Sequence, residues 1–178
     1  MALLGPGTLG VTGEYGAAGT FFALKVTSGA AGITDTIHCY CYNNNAAARE
    51  VKMAIYSHDS GNNRPLTQLA AEVAIVVPGL ANETECSAAY TATIAAATIY
   101  WIAWVPDDTD DVYSHYETTG TDSLANISGQ SYDLPVTWPG GSDLAADYYS
   151  YWAEYTEGGG GSGLLVPIAM MYYGRMRR

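Results

Sequence analysis

Positive charge is scarce in this chain. Seven lysine and arginine residues stand against eighteen aspartate and glutamate residues among 178, which gives a formal net charge of −11 at pH 7. A protein that binds nucleic acid needs a basic surface to neutralise phosphates. The acidic composition therefore argues against nucleic acid as a partner.

Long apolar runs are also lacking. No stretch approaches the ~20 apolar residues that a helix needs to span a bilayer, so we expect no membrane partner. The first ten residues, MALLGPGTLG, contain neither a basic n-region nor a long apolar h-region. We therefore expect no secretory signal.

Groups that could perform catalysis are few. The three histidines are scattered, and the sequence contains no nucleophile elbow, zinc-protease motif, phosphate-binding loop or paired-carboxylate motif. Ser57, His58 and Asp59 are consecutive, and three neighbours at a strand end cannot point at one centre. The sequence therefore predicts a protein that is not an enzyme and has no cofactor.

Cysteine use leaves three alternatives open. Cys39 and Cys41 are two residues apart, so both would lie on the same face of a strand, whereas Cys86 is distant in sequence. Small buried thiols are the interpretation we favour, and a cross-strand disulfide to Cys86 is the second. A zinc site fits less well, because there is no second pair and His38 would point to the opposite face.

Tyrosine and glycine are abundant, at 15 and 20 residues. Tyrosine, threonine and valine in alternation, with glycine-rich turns between them, favour strands over helices. The chain is therefore predicted to be all-β, an antiparallel β-sandwich of the jelly-roll type. A long loop around WPGG is expected between residues 118 and 143. The predicted strands cover residues 21–28, 36–42, 50–57, 67–77, 86–94, 98–106, 112–116, 131–136 and 147–156.

Three segments carry a family resemblance. In order, they are LGPGTLG with FFALKVTS, then VKMAIYSHDSGNNRPLTQLA, then IYWIAWVPDD followed by YYSYWAEYT. Together they resemble jelly-roll β-sandwich domains of tailed-phage structural and fibre proteins and of secreted bacterial proteins. The resemblance covers most of residues 1–157 and implies a fold rather than an activity. A tryptophan expected before the Y-W strand is absent, with ECSAAYTATI in its place.

Two clusters could bind small ligands. Asp107, Asp108, Asp110 and Asp111 offer clustered carboxylate oxygens that suit calcium, but their spacing is not that of a known calcium loop. A solvated acidic turn is therefore the interpretation we favour, with a structural calcium ion as the alternative. Exposed aromatic rings near a sheet edge could bind sugars. The candidates for such a carbohydrate site are Tyr113, Tyr116 and Trp138.

The C-terminal end differs from the body in composition. We divide the chain into a sandwich domain at 1–157, a glycine-rich linker at 158–163 and a C-terminal extended arm at 164–178. The arm could fold back as one more strand of its own sandwich, but a glycine run is a poor tight hairpin. We favour docking on a neighbouring subunit. The predicted docking residues are Leu164, Leu165, Val166, Ile168, Met170, Met171, Tyr172, Tyr173, Arg175, Arg177 and Arg178.

These observations favour a virion structural protein. We expect a capsid decoration, fibre or tail component of a bacteriophage, located in the virion, whose partners are copies of itself and other virion proteins. The arm's arginines would then meet carboxylates of an acidic neighbour. Two alternatives remain: a cell-surface module that binds glycans, and a subunit of an extracellular filament.

Overall fold

The computed structural model describes residues 1–7, 12–15, 19–107, 111–118, 124–128, 130–140, 143–145 and 147–158, with the backbone alone at 12–15, 115–118, 143–145 and 147–148. Within these ranges the protein is all-β, as predicted, and contains no helix. The strands are Ala2–Leu4 (β1), Thr12–Tyr15 (β2), Phe21–Thr27 (β3), Gly32–Asn43 (β4), Arg49–Asp59 (β5), Arg64–Gln68 (β6), Val73–Val77 (β7), Thr84–Ala89 (β8), Thr93–Ile94 (β9), Ile99–Pro106 (β10), Val112–Thr118 (β11), Leu124–Ile127 (β12), Asp143–Ala145 (β13), Asp147–Tyr149 (β14) and Tyr151–Glu157 (β15).

The strands form two curled antiparallel sheets in a sandwich-like arrangement. Sheet I has the order β1-β15-β4-β11-β14, with β2 beside β11 and with β8 and β9 beside β4. Sheet II has the order β13-β12-β3-β10-β5-β6, with β7 beside β5. Strands that are distant in sequence are therefore neighbours in each sheet.

The core lies between the two sheets and is rich in aromatic rings. Trp104 of sheet II stacks on Tyr151 of sheet I, with 5.8 Å between ring centroids, and Phe22 lies 5.5 Å from Tyr149. All four side chains are buried. The predicted central strand is confirmed, because β10 lies between β3 and β5 and ends at Pro106.

Sheet II is buried on its outer face as well. Residues 130–140, which we call the strap, cross this face. Trp138 of the strap packs on Phe21 and Tyr56 at centroid distances of 5.8 and 5.4 Å. The hydroxyl of Tyr56 donates to the carbonyl of Pro135 over 2.6 Å. A strand with both faces covered shows a continuous apolar run instead of alternation, which accounts for the sequence of β10.

An ion-pair cluster holds the strap in place. Lys52 of β5 lies 2.9 Å from a carboxylate oxygen of Glu72 and also contacts Asp133 of the strap. Its ammonium group lies 4.5 Å from the ring centroid of Tyr132. The hydrogen bonds to Asp133 and Glu72 raise the pKa of Lys52 above its ordinary value, so this side chain stays charged. Glu72 also accepts the amide hydrogen of Leu134 over 2.6 Å.

Several boundaries differ from the sequence prediction. The single strands expected at 67–77 and 86–94 are each divided, the first into β6 and β7 and the second into β8 and β9. At the second break, Thr34 of β4 binds the backbone of Tyr90 and Ala92 through its hydroxyl and so replaces ladder hydrogen bonds. The strand expected at 131–136 is absent, because side chains bind the carbonyls of Leu134 and Pro135, and backbone pairing with β6 begins only at Val136, whose carbonyl accepts the amide hydrogen of Gln68. In addition, β12 lies within the predicted long loop.

We predict that Trp138→Ala lowers the free energy of unfolding by about 3–5 kcal/mol, because it leaves a cavity between the strap and sheet II. Urea denaturation followed by circular dichroism measures the change. Val136→Ala is the matched control: Val136 lies in the same strap but is 69% exposed, so it should cost less than about 0.5 kcal/mol. Equal effects for the two variants would contradict a packed strap.

Candidate functional site

The two sheets differ in charge. Four basic residues lie within the described ranges, and all belong to sheet II strands β3, β5 and β6. Each already has a polar or acidic partner in that sheet or beside it. The pairs are Lys25–Asn63, Arg49–Asp111, Lys52–Glu72 and Arg64–Asp59.

The strands of sheet I contain no lysine or arginine but several carboxylates. Of the acidic side chains that the structure describes in this sheet, Glu85 and Glu157 are exposed, and Asp35 and Glu154 are partly exposed. The sheet as a whole therefore has charge of a single sign. Its acidic residues are Glu14, Asp35, Glu85, Glu117, Asp147, Glu154 and Glu157.

The centre of the outer face of sheet I is an aromatic stack. His38 of β4 is the direct cross-strand partner of Trp152 of β15, and their rings stack with centroids 4.9 Å apart and planes 9° apart. The ring of Tyr40 also contacts Trp152, with 5.2 Å between the two ring centroids. One ring nitrogen of His38 is 3.0 Å from the carboxylate of Glu85, and the other is 2.8 Å from the hydroxyl of Thr36. The stack therefore has both ring nitrogens of its histidine engaged.

Around this stack, carboxylates alternate with apolar side chains. The side chains of Glu85 and Glu154 are 47% and 32% exposed. Leu3, the cross-strand partner of Glu154, is 48% exposed, and Ile33 is 50% exposed. Asp35 accepts a 2.7 Å hydrogen bond from the hydroxyl of Thr156 on β15. We call this surface the acidic outer face, defined by Leu3, Ile33, Asp35, His38, Glu85, Trp152 and Glu154.

The acidic outer face is suited to a cationic and partly apolar ligand. Exposed carboxylates attract cations, and exposed aliphatic side chains lose contact with water when they are covered. The sequence predicts that His38 and Tyr40 share a face. It contains no local signal that Trp152 and Glu85 lie beside them, because both come from strands far along the chain. Lys25 and Lys52 fall in predicted strands, but the sequence does not show that these strands belong to one sheet.

The chain leaves sheet I at one end of the acidic outer face. Glu157 is paired with Gly32, and the amide of Gly158 donates to the carbonyl of Ala31 over 3.0 Å. The predicted docking residues 164–178 and linker residues 159–163 lie outside the described residues. Their docking therefore stays a prediction.

The proposed calcium ligands are only partly described. Asp107 accepts the amide hydrogen of Glu50 over 2.9 Å. Asp111 binds Arg49 and Asn45, each over 2.7 Å, and the hydrogen bond from Arg49 is the main reason that its pKa is lowered. The other two ligands, Asp108 and Asp110, lie outside the described residues. Within the described part of the chain, no group of three acidic, histidine or cysteine side chains is arranged to hold a metal.

The three aromatic candidates for a sugar site are separated in the structure. Trp138 is buried in the strap and only 5% exposed. Tyr113 of β11 is half-buried, receives a 3.0 Å hydrogen bond from the amide of Asn44, and meets the ring of Tyr42 edge-on at 5.7 Å. Tyr116 is placed in β11, but its side chain lies outside the described residues.

The three cysteines converge inside the core. Cys39 is the cross-strand partner of Cys86, and the Cys41 thiol donates to the Cys39 sulfur over 3.4 Å. All three are free and buried. The hydrogen bond to Cys41, together with burial, raises the pKa of Cys39, and burial raises the pKa of Cys86 to about 12. The sequence placed Cys39 and Cys41 on one face, but it could not show that Cys86 would be opposite them.

The consecutive residues Ser57, His58 and Asp59 have three different sets of partners. The Ser57 hydroxyl binds the backbone of Thr67, the His58 ring accepts the indole hydrogen of Trp101, and Asp59 binds the loop that follows it. Ser57 and His58 border an open depression of about 510 Å³ beside Tyr100. Burial and the charge of Lys25 lower the pKa of His58. No nucleophile and base are therefore joined by a hydrogen bond in this string of residues.

No model of a known protein family matches the chain, and a search of curated proteins finds no similar sequence. Among the described residues, no helix has the length and apolar character needed to cross a bilayer. Functional inference therefore depends on the arrangement of the residues themselves.

We predict that the three thiols resist alkylation in the folded protein. A thiol reacts as its thiolate, and each unit by which the pKa exceeds the solution pH lowers the thiolate fraction tenfold. With the pKa of Cys86 near 12, labelling by iodoacetamide at mildly alkaline pH should be at least about a hundredfold slower than in denaturant. Mass spectrometry of timed samples measures the difference.

The same shift sets a pH dependence. Because the folded state raises the pKa of Cys86, this thiol contributes stability below the unfolded pKa of about 8.5, and the contribution is lost as the pH rises through about 12. In the Cys86→Ala variant, the free energy of unfolding should fall less between about pH 8.5 and about pH 12 than in the unsubstituted protein. Rapid alkylation of the three cysteines by iodoacetamide in the native protein would contradict their burial in the core.

Proposed function

We propose that this chain is a non-enzymatic structural protein of a virion, a jelly-roll capsid decoration, fibre or tail component that assembles through its C-terminal arm, residues 164–178. One observation carries the proposal: the last strand of the body lies inside a sheet, and twenty-one residues follow its end. β15 pairs with β1 on one side and with β4 on the other. The arm is therefore not needed to complete this part of sheet I.

Length and charge support attachment to another subunit. After Gly158, residues 159–178 could extend roughly 66 Å at ~3.3 Å per residue. The arm holds three arginines, whereas the rest of the chain has four basic residues against eighteen acidic ones. Opposite charges on arm and body favour encounter between copies and help to fix the register of docking. A virion is the proposed location because the three motif segments resemble domains of tailed-phage proteins.

The structure of the body is compatible with a display role. The described basic residues are paired within or beside sheet II, and the strap covers its outer face with packed aromatic rings. These features stabilise the body, and a stable body could be held on a virion by its C-terminal arm.

An extracellular filament would use the same arm in head-to-tail contacts. Electron microscopy of the assembled protein distinguishes filaments from closed oligomers.

We predict that deleting residues 159–178 abolishes assembly and leaves the body folded. Size-exclusion chromatography with light scattering should show oligomers for the full chain and monomers for the truncated chain. The two melting temperatures should agree, because every strand among the described residues ends before residue 159. Gly160→Ser is the control, since it keeps the Gly/Ser composition of the linker. Unchanged assembly after the deletion would overturn the proposed function.

Sugar binding is the second candidate, favoured by the half-buried ring of Tyr113 beside the exposed amide of Asn44. A ring beside an exposed amide could stack on a sugar and bind its hydroxyls. We predict that any binding on a glycan array is lost in Tyr113→Ala and kept in Tyr113→Phe, which retains the ring. Binding that survives Tyr113→Ala would exclude this site.

A further inference from the structure

We propose that the acidic outer face of sheet I is the surface that receives residues 164–178 of a neighbouring copy. This inference rests on the proposed function, in which the arm docks on another subunit, and it adds the location of the receiving site. The occupant is therefore a segment of this same chain. Charge, exposed apolar area and the length of the arm all favour this face.

Charge complementarity is the first step. The chain has seven basic residues, and the four in the body are placed in sheet II, each with a partner. The remaining three are Arg175, Arg177 and Arg178. Sheet I has no lysine or arginine in its strands. Within one chain, only the arm can therefore supply lysine or arginine to the carboxylates of sheet I.

The spacing of the carboxylates suits the arm's basic end. Glu85 and Glu154 are held on strands β8 and β15, which flank β4 on opposite sides. Glu85 is opposite Tyr40 and Glu154 is opposite Thr36, and the two carboxylates converge on His38, at 3.0 and 4.0 Å from its two ring nitrogens. Arg175 and Arg178 are three residues apart, about 10 Å in an extended chain. Long arginine side chains could therefore reach both carboxylates at once.

The apolar part of the arm has matching exposed side chains. Leu3 and Ile33 are each about half exposed and flank the His38–Trp152 stack on the same face. The arm begins with the apolar run from Leu164 to Ile168, interrupted only by a proline. Covering aliphatic groups with such a run is favourable by roughly 25 cal/mol for each Å² removed from water. Charge and apolar contact therefore select the same face.

Length favours a neighbouring copy over the chain's own body. On β4, Gly32 lies beside the point where the chain leaves the sheet, and Tyr40 lies beside Glu85. These two residues are eight steps apart, about 26 Å along the strand. Arg175 is seventeen steps beyond Gly158, about 56 Å when extended. An arm extended on its own sheet would carry its arginines past the acidic outer face. An arm of the same length could place its arginines on the acidic outer face of an adjacent subunit.

Charge reversal in the full-length chain tests the proposal. One variant reverses the face with Glu85→Arg and Glu154→Arg, and the other reverses the arm with Arg175→Glu, Arg177→Glu and Arg178→Glu. We expect each variant alone to assemble with a dissociation constant at least about tenfold higher, since like charges would meet. Light scattering measures the constant, and circular dichroism checks that each variant is folded.

Mixing the two variants separates a neighbouring copy from the chain's own body. In an equimolar mixture each reversed arm meets an opposite face, so we expect mixed oligomers to form. A single chain carrying both reversals should also recover assembly. If the arm docks on its own body, the mixture stays monomeric, and that result would overturn the proposal.

Neutral substitutions cover the case in which charge reversal disturbs folding. Glu85→Gln with Glu154→Gln keeps the shape of the face and should weaken assembly and its dependence on salt. Glu50→Gln, at an exposed acid at one end of sheet II, is the control and should have no effect. Assembly that needs residues 159–178 but ignores every change on the face would overturn this inference alone. Assembly that does not need those residues overturns the proposed function.

Discussion

The structure depends on the alternation of a single strand, β4. It runs from Gly32 to Asn43 and pairs with β15, β8, β9 and β11, so four other strands of sheet I take their position from it. Ile37, Cys39 and Cys41 point into the core, and the residues between them point outward. A shift of one residue would exchange these two sets. The thiol cluster and the acidic outer face are therefore consequences of one register.

Burial on both faces of sheet II explains where the basic residues are. The strap covers the outer surface of that sheet, so a charged side chain there must lie at the rim and have a partner. Lys52 meets this requirement through Glu72 and Asp133, and it also fixes the strap. Because the few basic residues of the body are used in this way, sheet I is left with carboxylates alone. The charge difference follows from the packing.

The sequence predicts the parts of the fold that depend on local pattern. Alternation in β4 and the apolar run of β10 identify both strands. A strand was predicted at 131–136, but these residues belong to the strap instead, and Trp138 is buried by Phe21 and Tyr56, which are distant in sequence. The His38–Trp152 stack requires the pairing of residues separated by more than a hundred positions. Local pattern therefore predicts the faces of strands, whereas the candidate site depends on which strands become neighbours.

A sheet of one charge sign is well suited to reversible assembly. Mutual repulsion between acidic faces opposes random association of the bodies, and the short edge strand β1 offers few backbone groups for unwanted pairing. A basic arm overcomes this repulsion only where its arginines and its apolar residues fit together. The two requirements make the contact selective, because an acidic patch without exposed aliphatic groups would satisfy only one of them. Selectivity would therefore come from Leu3 and Ile33 as much as from Glu85 and Glu154.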